Sequence, residues 1–360
     1  MSDPLPERPD PDQLRRRAKE LRDGVRRGDA EALERLARHY TAAPGSAPRL
    51  AAAQLVIARE LGFSSWPRLI AALDADAVSR RTVAAFVDAA VEGRVRRAGE
   101  ILRADPGIAG RSLSAAAVIG DAAAVREHLA SDPRAAVALD DERGWPPLLY
   151  ACYSRLHRID PDRGRGSAEA VRLLLAAGAD PNTNDGGRRR YRSALKGAVE
   201  IGDPQITEVL LDAGADPDPG QPIAEAAAHR DLRCLRLLLS HGARVASTWA
   251  LGSAVFNDNA GATALLLDAL ATAGFSASRA ATDVLPEAAA TASFPVVAAL
   301  LDAGADPRAA DPDGVSAVRL AVRAGRTRSA ARLRELGAAE DGTDVDRFLG
   351  ACLNADRLAV

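Results

Sequence analysis

Leucine and alanine recur every three to four positions along most of the chain, which predicts a succession of short amphipathic helices. From residue 174 onward, segments share one order: a leucine, three residues and a glycine, which Ala-Asp-Pro follows in half of the cases. Their glycines follow at intervals of 28 to 36 residues, and they are Gly178, Gly214, Gly242, Gly274, Gly304 and Gly337. Repetition at this period is typical of a solenoid, in which each unit buries its apolar face only against its neighbours. The pattern therefore predicts an all-α solenoid of stacked helix-turn-helix units.

Each unit is predicted to contain a first helix, a tight turn and a leucine-rich second helix. About eight repeats, between residues 80 and 345, follow from the second-helix leucines Leu102, Leu129, Leu174, Leu210, Leu238, Leu270, Leu300 and Leu333. The glycine after the second helix is expected to have a positive φ, because it lacks the Cβ that opposes this conformation. Two long spacings indicate insertions, at His157 to Ser167 and at Gly186 to Arg192. Loop tips are expected at Asp141–Gly144 and Asp311–Gly314.

The ends of the chain differ from the repeats. Residues 1–11 are rich in proline and acid, and we expect a disordered leader there. Residues 12–76 are predicted to form a helical N-terminal module, in which Ser64 or Ser65 caps a helix that begins near Trp66. Residues 346–360 have the pattern of a first helix without its second. Such a helix could close the array, precede further chain or meet another subunit.

Composition narrows the function classes. The chain has 360 residues, 47% of them hydrophobic but only 4% aromatic, which suits close packing of helices. A formal charge of -2 gives no overall field for a nucleic acid or an anionic membrane. Three widely separated cysteines do not suggest a disulfide framework. Neither a secretory signal nor a membrane span is evident, so we expect a cytoplasmic protein.

The repeated residues resemble the ankyrin repeat, whose pattern is roughly D-x-x-G-x-T-P-L-H-x-A with a G-A-D ending. The matching positions are Asp141, Gly144, Pro147, Leu148 and Ala151 in one repeat, and Asp311, Gly314, Ser316, Val318 and Ala321 in another. Departures are Leu149, Lys196 and Arg319, which stand where the family usually has histidine. The segment Ala52 to Leu73 is similar to helical extensions that precede bacterial ankyrin arrays.

The resemblance implies a stack of helix pairs whose first helices and loop tips form a concave, protein-binding face. It implies an intracellular scaffold or adaptor without catalysis, and neither a cofactor nor a metal is expected. The partner would be another protein, and the terminal helix could mediate oligomerisation. The sequence does not identify the partner or the oligomeric state.

Candidate contact residues lie in the central repeats, around residues 141 to 260. They combine a basic loop with large aromatic side chains near repeat starts, which are residue types enriched at interfaces. The predicted partner-binding residues are Arg143, Trp145, Tyr150, Arg188, Arg189, Arg190, Tyr191, Arg192 and Trp249. For the aromatic residues the alternative is packing between helices. For the basic loop it is a solvated surface.

Three other interpretations have weaker support. Loop 188–192 could bind a nucleic acid or an acidic partner, which would give a steep salt dependence of affinity. An enzyme with its site in the N-terminal module would need a polar pocket, and His39 with scattered acids does not supply one. His229, Cys234 and His241 do not have the spacing of a zinc site.

Overall fold

The computed structural model describes residues 10–40, 49–140, 143–156, 163–187, 191–245, 248–339 and 342–358. In these ranges the regular elements are helices, with isolated β-bridges only at Asn184–Ser193 and Ala310–Ser316. The α-helices are α1 Pro11–Arg27, α2 Ala30–His39, α3 Leu50–Glu60, α4 Trp66–Val91, α5 Val95–Ala104, α6 Leu113–Ile119, α7 Ala122–Ser131, α8 Pro147–Tyr153, α9 Arg163–Ala176, α10 Ala194–Ile201, α11 Pro204–Asp212, α12 Pro222–Ala228, α13 Arg233–Ser240, α14 Thr248–Phe256, α15 Ala260–Thr272, α16 Ala277–Thr291, α17 Phe294–Asp302, α18 Ala317–Arg323, α19 Thr327–Glu335 and α20 Asp344–Leu358. The predicted all-α class is confirmed.

The chain divides into two compact units, Met1–Ala85 and Phe86–Val360. In the first unit α1, α2 and α3 pack around a core that contains Leu14, Leu21 and Val56, each at most 4% exposed. Trp66 packs against this core. The predicted leader lies outside the described residues except for its last two positions, where Asp10 caps α1.

Helix α4 crosses the boundary between the units. The sequence predicts a change from the module to the array at residues 76–80, yet α4 continues unbroken through it. The reason is local, because residues 68–91 contain neither the glycine nor the proline that would end a helix. The start of α4 at Trp66 agrees with the prediction, and the Ser65 hydroxyl accepts a hydrogen bond from the Arg68 N–H at 3.4 Å.

In the second unit the helices alternate between two layers. Each even-numbered helix from α6 to α20 contacts the next even-numbered helix, so the first helices form one row. The second helices include the contacting pairs α7 with α9, α9 with α11, α11 with α13, α15 with α17, and α17 with α19. All of the predicted second-helix leucines lie on α5, α7, α9, α11, α13, α15, α17 and α19. The repeat pattern therefore located these helices correctly.

The Leu-x-x-x-Gly segments, in which alanine usually follows the glycine, form one recurring turn. Each of their glycines has a positive φ, between 80° and 96°, as predicted. The residue after the glycine donates its N–H to the carbonyl of the repeat leucine, as Ala215 does to Leu210 at 2.9 Å. This is the Schellman arrangement, which satisfies an otherwise unpaired helix-end carbonyl. Helices α5 and α7 end in Asp-Pro instead, and their leucines, Leu102 and Leu129, are only half-buried.

One predicted insertion is partly helical. The sequence predicts an inserted loop at residues 157–167, but α9 begins at Arg163. Residues 157–162 lie outside the described part of the chain. Gly166 accounts for the close approach of α9 to the preceding repeat, because a Cβ there would lie 2.3 Å from the Gly120 carbonyl oxygen. The glycine permits the helix to start earlier than the loop interpretation allows.

Candidate functional site

Three loops between repeats fold back as short hairpins that are closed by Asp140, Asp185 and Asp311. At the predicted tip Asp311–Gly314, the Asp311 N–H donates to the Val315 carbonyl at 3.0 Å. Its Oδ1 accepts from the Val315 N–H at 2.8 Å, and Gly314 has a φ of 77°. Asp185 closes the longer loop in the same way, since its N–H donates to the Arg192 carbonyl at 3.0 Å. These side chains hold the loops beside the first helices.

The loop before α8 is closed by Asp140, the residue that precedes the predicted tip. The Asp140 N–H donates to the Trp145 carbonyl at 3.1 Å. Its Oδ1 accepts from the N–H groups of Arg143 and Gly144 at 2.7 and 2.9 Å. The predicted tip at residues 141–144 lies between Asp140 and Trp145, and the loop has one more residue than its counterpart at Asp311. Asp141 itself lies outside the described residues.

Trp145 and Tyr150 form a buried aromatic cluster with Tyr153. Trp145 is 4% exposed and Tyr150 is 1% exposed. The Trp145 ring centroid lies 5.2 Å from that of Tyr150 and 5.5 Å from that of Tyr153. The Tyr150 hydroxyl donates to Asp140. Trp145 and Tyr150 were predicted to contact a partner, and this is corrected: tertiary packing buries both rings within the array, which is the alternative given for the aromatic residues.

Arg143 and Arg192 both lie over the Trp145 ring of this cluster. Their guanidinium carbons lie 5.2 and 5.4 Å from the Trp145 ring centroid, which is cation–π geometry. Both approach Glu92, at 2.8 Å for Arg143 and 3.9 Å for Arg192. The hydrogen bond from Arg143 holds the pKa of Glu92 below its usual range. These predicted contact residues thus stabilise the loops against the first helices, and they are engaged within the chain.

A cavity of about 280 Å³ adjoins the cluster. Its polar walls are paired: Arg155 lies 2.7 Å from Glu200, and Lys196 lies 3.7 Å from Glu225. The buried Tyr153 hydroxyl has no hydrogen-bond partner among the described residues, and its burial raises the pKa of this group. The lining residues are Val91, Glu92, Trp145, Tyr153, Arg155, Tyr191, Arg192, Lys196, Glu200 and Glu225. Acidic and basic side chains are balanced here, so the cavity favours neither sign of ligand.

In the basic loop 188–192, the structure describes only Tyr191 and Arg192. Arg188, Arg189 and Arg190 lie outside the described residues, and their predicted role stays a prediction. Tyr191 packs beside Gly220, where a Cβ would lie 2.6 Å from the Tyr191 Cδ1 atom. The loop therefore returns against the next repeat, and Arg192 is turned toward Glu92 and Trp145.

Further along the row of first helices lie the two aromatic side chains with the highest exposed fractions among the described residues. Trp249 and Phe256, at the two ends of α14, are 72% and 78% exposed. They are seven residues apart, so they lie on the same face of the helix. Between them Gly252 leaves open space, because a Cβ added there would meet no atom within 4 Å. The predicted contact residue Trp249 is thus accessible, and it borders a depression.

This depression is a groove of about 790 Å³, which we call the α14 groove. It is lined by Lys196, Gly220, Gln221, Ala224, Glu225, Trp249, Gly252, Ser253, Phe256, Asp283, Val284 and Glu287. Small side chains bring α12 and α14 together, and the Ser253 hydroxyl donates to the Ala224 carbonyl at 2.7 Å. Asp283 and Glu287 come from α16, one turn apart, so their carboxylates share one face. The α14 groove therefore combines exposed rings with an acidic side.

Within the described ranges, no group of three or more His, Cys, Asp or Glu side chains is arranged to hold a metal ion. Among the same residues, no helix is long and apolar enough to cross a membrane. Cys152 and Cys234 are buried free thiols, and burial raises the pKa of both.

Comparison with known proteins supports the repeat assignment. Residues 162–249 match the family model of ankyrin repeats, described as three copies. Cyclin-dependent kinase 4 inhibitor B of the rat is 41% identical over 88 residues, which cover 22% of this chain and 64% of the rat protein. The human protein of that name is 40% identical over 88 residues, covering 22% of this chain and 60% of the human protein. The matches thus span less than two thirds of these relatives.

One solved structure is also similar to part of this chain. The solved structure of the human ASB11 ankyrin repeat domain aligns with 66% of this chain and 95% of that chain, with 22% identity and a TM-score of 0.47. Together with the helix pairs and Gly-Ala turns described above, the family match confirms the prediction of ankyrin repeats at residues 162–249. Ankyrin repeats are protein-interaction modules. The resemblance of the N-terminal module to bacterial extensions stays a prediction.

Sequence reasoning missed part of the α14 groove. Phe256, Asp283 and Glu287 were not among the predicted contact residues, although Phe256 is the more exposed of the two α14 rings. A signal was present, because Phe256 falls outside the apolar stripe that buries Leu251 and Val255. No comparable signal marked Asp283 and Glu287, since exposed acids are common in this chain.

Proposed function

We propose that this chain binds another protein through the first helices of its ankyrin array, centred on the α14 groove. The function is that of a binding scaffold or adaptor without catalysis of its own. The single observation that carries the proposal is the exposure of Trp249 and Phe256 on one face of α14. Location in the cytoplasm stays a prediction.

The exposure of two large rings beside one groove favours an interface at this position. Large rings bury much apolar area and dominate the energetics of many interfaces, and leaving both in water forgoes this stabilisation. In a chain with only 4% aromatic residues, two exposed rings beside one groove are unusual. The groove also lies on the first-helix row, which is the face that the ankyrin resemblance associates with partner binding.

The proposal is tested by affinity capture from native lysate with mass spectrometry. The full chain is compared with the double variant Trp249→Ser and Phe256→Ser. The control is Phe275→Ser, because Phe275 is 51% exposed but does not line the α14 groove. We expect the double variant to lose specific partners that the control retains, with thermal unfolding unchanged in both. If both variants capture the same proteins as the natural chain, the groove is not the binding site.

A further inference from the structure

The walls of the α14 groove differ in chemistry, which restricts what can occupy it. Trp249 and Phe256 stand at the ends of α14, and the space between them is lined by the small residues Gly252 and Ser253. An apolar side chain entering this space would be covered by rings on two sides. The groove is therefore suited to a segment that carries at least one leucine-like or aromatic residue.

The charged side of the groove comes from α16. Asp283 and Glu287 line it, and neither carboxylate forms an ion pair with another described residue. Two like charges one turn apart on a helix repel each other, so the arrangement is locally unfavourable without a counter-ion. Locally unfavourable arrangements are often found at functional sites, and an unpaired acidic pair beside exposed rings is such an arrangement.

The remaining charges of the groove do not offset this acidic pair. Lys196 is the basic residue in the lining, and its ammonium lies 3.7 Å from the Glu225 carboxylate. That contact leaves Asp283 and Glu287 as the excess charge. A cationic side chain of a partner could pair with these two carboxylates. A guanidinium could also lie against the face of Trp249, because the ring attracts it.

We infer that the α14 groove takes a basic and apolar segment of a partner protein, in which arginine or lysine alternates with large apolar residues. The inference deepens the proposed protein-binding function and rests on it. Apolar side chains of the segment pack between Trp249 and Phe256, while its cationic side chains pair with Asp283 and Glu287. The same carboxylates disfavour a nucleic-acid backbone, which carries their own sign.

The experiment uses a phage-displayed library of random peptides selected on the full-length chain. Peptides are counter-selected on the double variant Trp249→Ser and Phe256→Ser, so that the retained pool depends on the groove. We expect this pool to be enriched in arginine and lysine together with large apolar residues, and depleted in aspartate and glutamate. Enrichment in acidic residues, or no enrichment over the starting library, would overturn the inference.

A matched pair of charge variants tests the carboxylates directly. Asp283→Asn with Glu287→Gln removes the acidic pair, whereas Glu208→Gln with Asp212→Asn makes the same change, with the same spacing, on the second helix α11. For a selected peptide labelled with fluorescein, anisotropy should give a roughly tenfold weaker affinity for the α16 variant only. The loss should shrink at high salt, because screening weakens the charged contact. Equal affinities for the two variants would contradict the proposed role of α16.

Failure of this inference can be told apart from failure of the proposed function. If lysate partners depend on Trp249 and Phe256 but not on Asp283 and Glu287, the groove binds protein and only the basic character of the partner is wrong. Sedimentation of the purified chain tests whether a second copy of this chain occupies the groove. Self-association that the α16 variant abolishes would identify a second copy in place of a basic partner segment, and would overturn the inference.

Discussion

The presence or absence of a Cβ atom at one position determines how closely neighbouring first helices can approach in this array. Gly197 of α10 faces the preceding repeat, and a Cβ at this position would lie 2.6 Å from the Tyr153 ring and 3.0 Å from the Cys152 carbonyl oxygen. The absence of a side chain therefore lets α8 and α10 pack with the aromatic cluster buried between them. Gly252 of α14 is the opposite case, because a Cβ there would meet nothing within 4 Å.

The two glycines should respond oppositely to the same substitution. Gly197→Ala forces the Tyr153 ring to move, and such overpacking costs about 1 to 3 kcal/mol of stability. Gly252→Ala should instead stabilise the chain by up to about 1 kcal/mol, since alanine favours the helix. Urea unfolding of both variants checks this prediction through the shift of the midpoint. Shifts of the same sign would mean that the contact at Gly197 does not constrain the packing.

A second residue-scale feature is the carboxylate that holds α20. Asp346 is 3% exposed and accepts hydrogen bonds from the Thr343 hydroxyl at 2.6 Å and the Arg319 Nε at 2.9 Å. These bonds, that of Thr343 foremost, lower the pKa of Asp346 to about 2. Because the folded pKa is lowered, the stabilisation is present above the ordinary pKa near 3.8 and is lost as the pH falls toward 2.

We therefore expect Asp346→Asn to loosen α20 at neutral pH, seen as faster backbone hydrogen exchange than in the natural chain. The difference between the two proteins should shrink as the pH falls from about 3.8 to about 2. Asp344→Asn is the control, because the Asp344 side chain is 95% exposed. A pH-independent difference, or an equal effect of the control, would show that the Asp346 carboxylate does not anchor α20.

At the scale of elements, the Gly-Ala turn explains why the positions of the second helices could be predicted from the sequence. The leucine, the glycine and the following residue form one hydrogen-bonded unit, so their spacing is fixed by local geometry. The loop before α8 and the start of α9 were less predictable. The Asp140 hairpin depends on contacts with Trp145 and Tyr150 across the loop, and the start of α9 depends on Gly166 fitting against Gly120. Contacts across a loop or between repeats cannot be predicted from the local pattern of residues.

The same turn predicts a graded effect of leucine truncation along the array. Leu210→Ala should cost about 2 to 5 kcal/mol, because a fully buried leucine leaves a cavity when truncated. Leu129→Ala should cost less, since Leu129 is half-buried and its helix ends without a Gly-Ala turn. Denaturant unfolding followed by circular dichroism measures both. Equal losses at the two positions would contradict the link between the turn and leucine burial.

At the scale of the whole array, the α14 groove is a property of several repeats and of no single segment. Its rings come from α14, its acidic pair from α16 and its small residues partly from α12. Sequence alone predicted the row of first helices and singled out Trp249. It could not bring Asp283 and Glu287 beside that ring, because the juxtaposition arises only when neighbouring repeats stack. Burial of Trp145 and Tyr150 has the same origin.

The most direct test of binding at the α14 groove is site-specific photocrosslinking in native lysate. A photoreactive phenylalanine analogue replaces Phe256 in one protein and Phe275 in another, and covalent adducts are identified by mass spectrometry. We predict defined protein adducts from position 256 that are absent from position 275, and that excess unlabelled chain suppresses them. Adducts at 275 equal to those at 256, or none at 256 under conditions in which the natural chain captures its partners, would contradict the account.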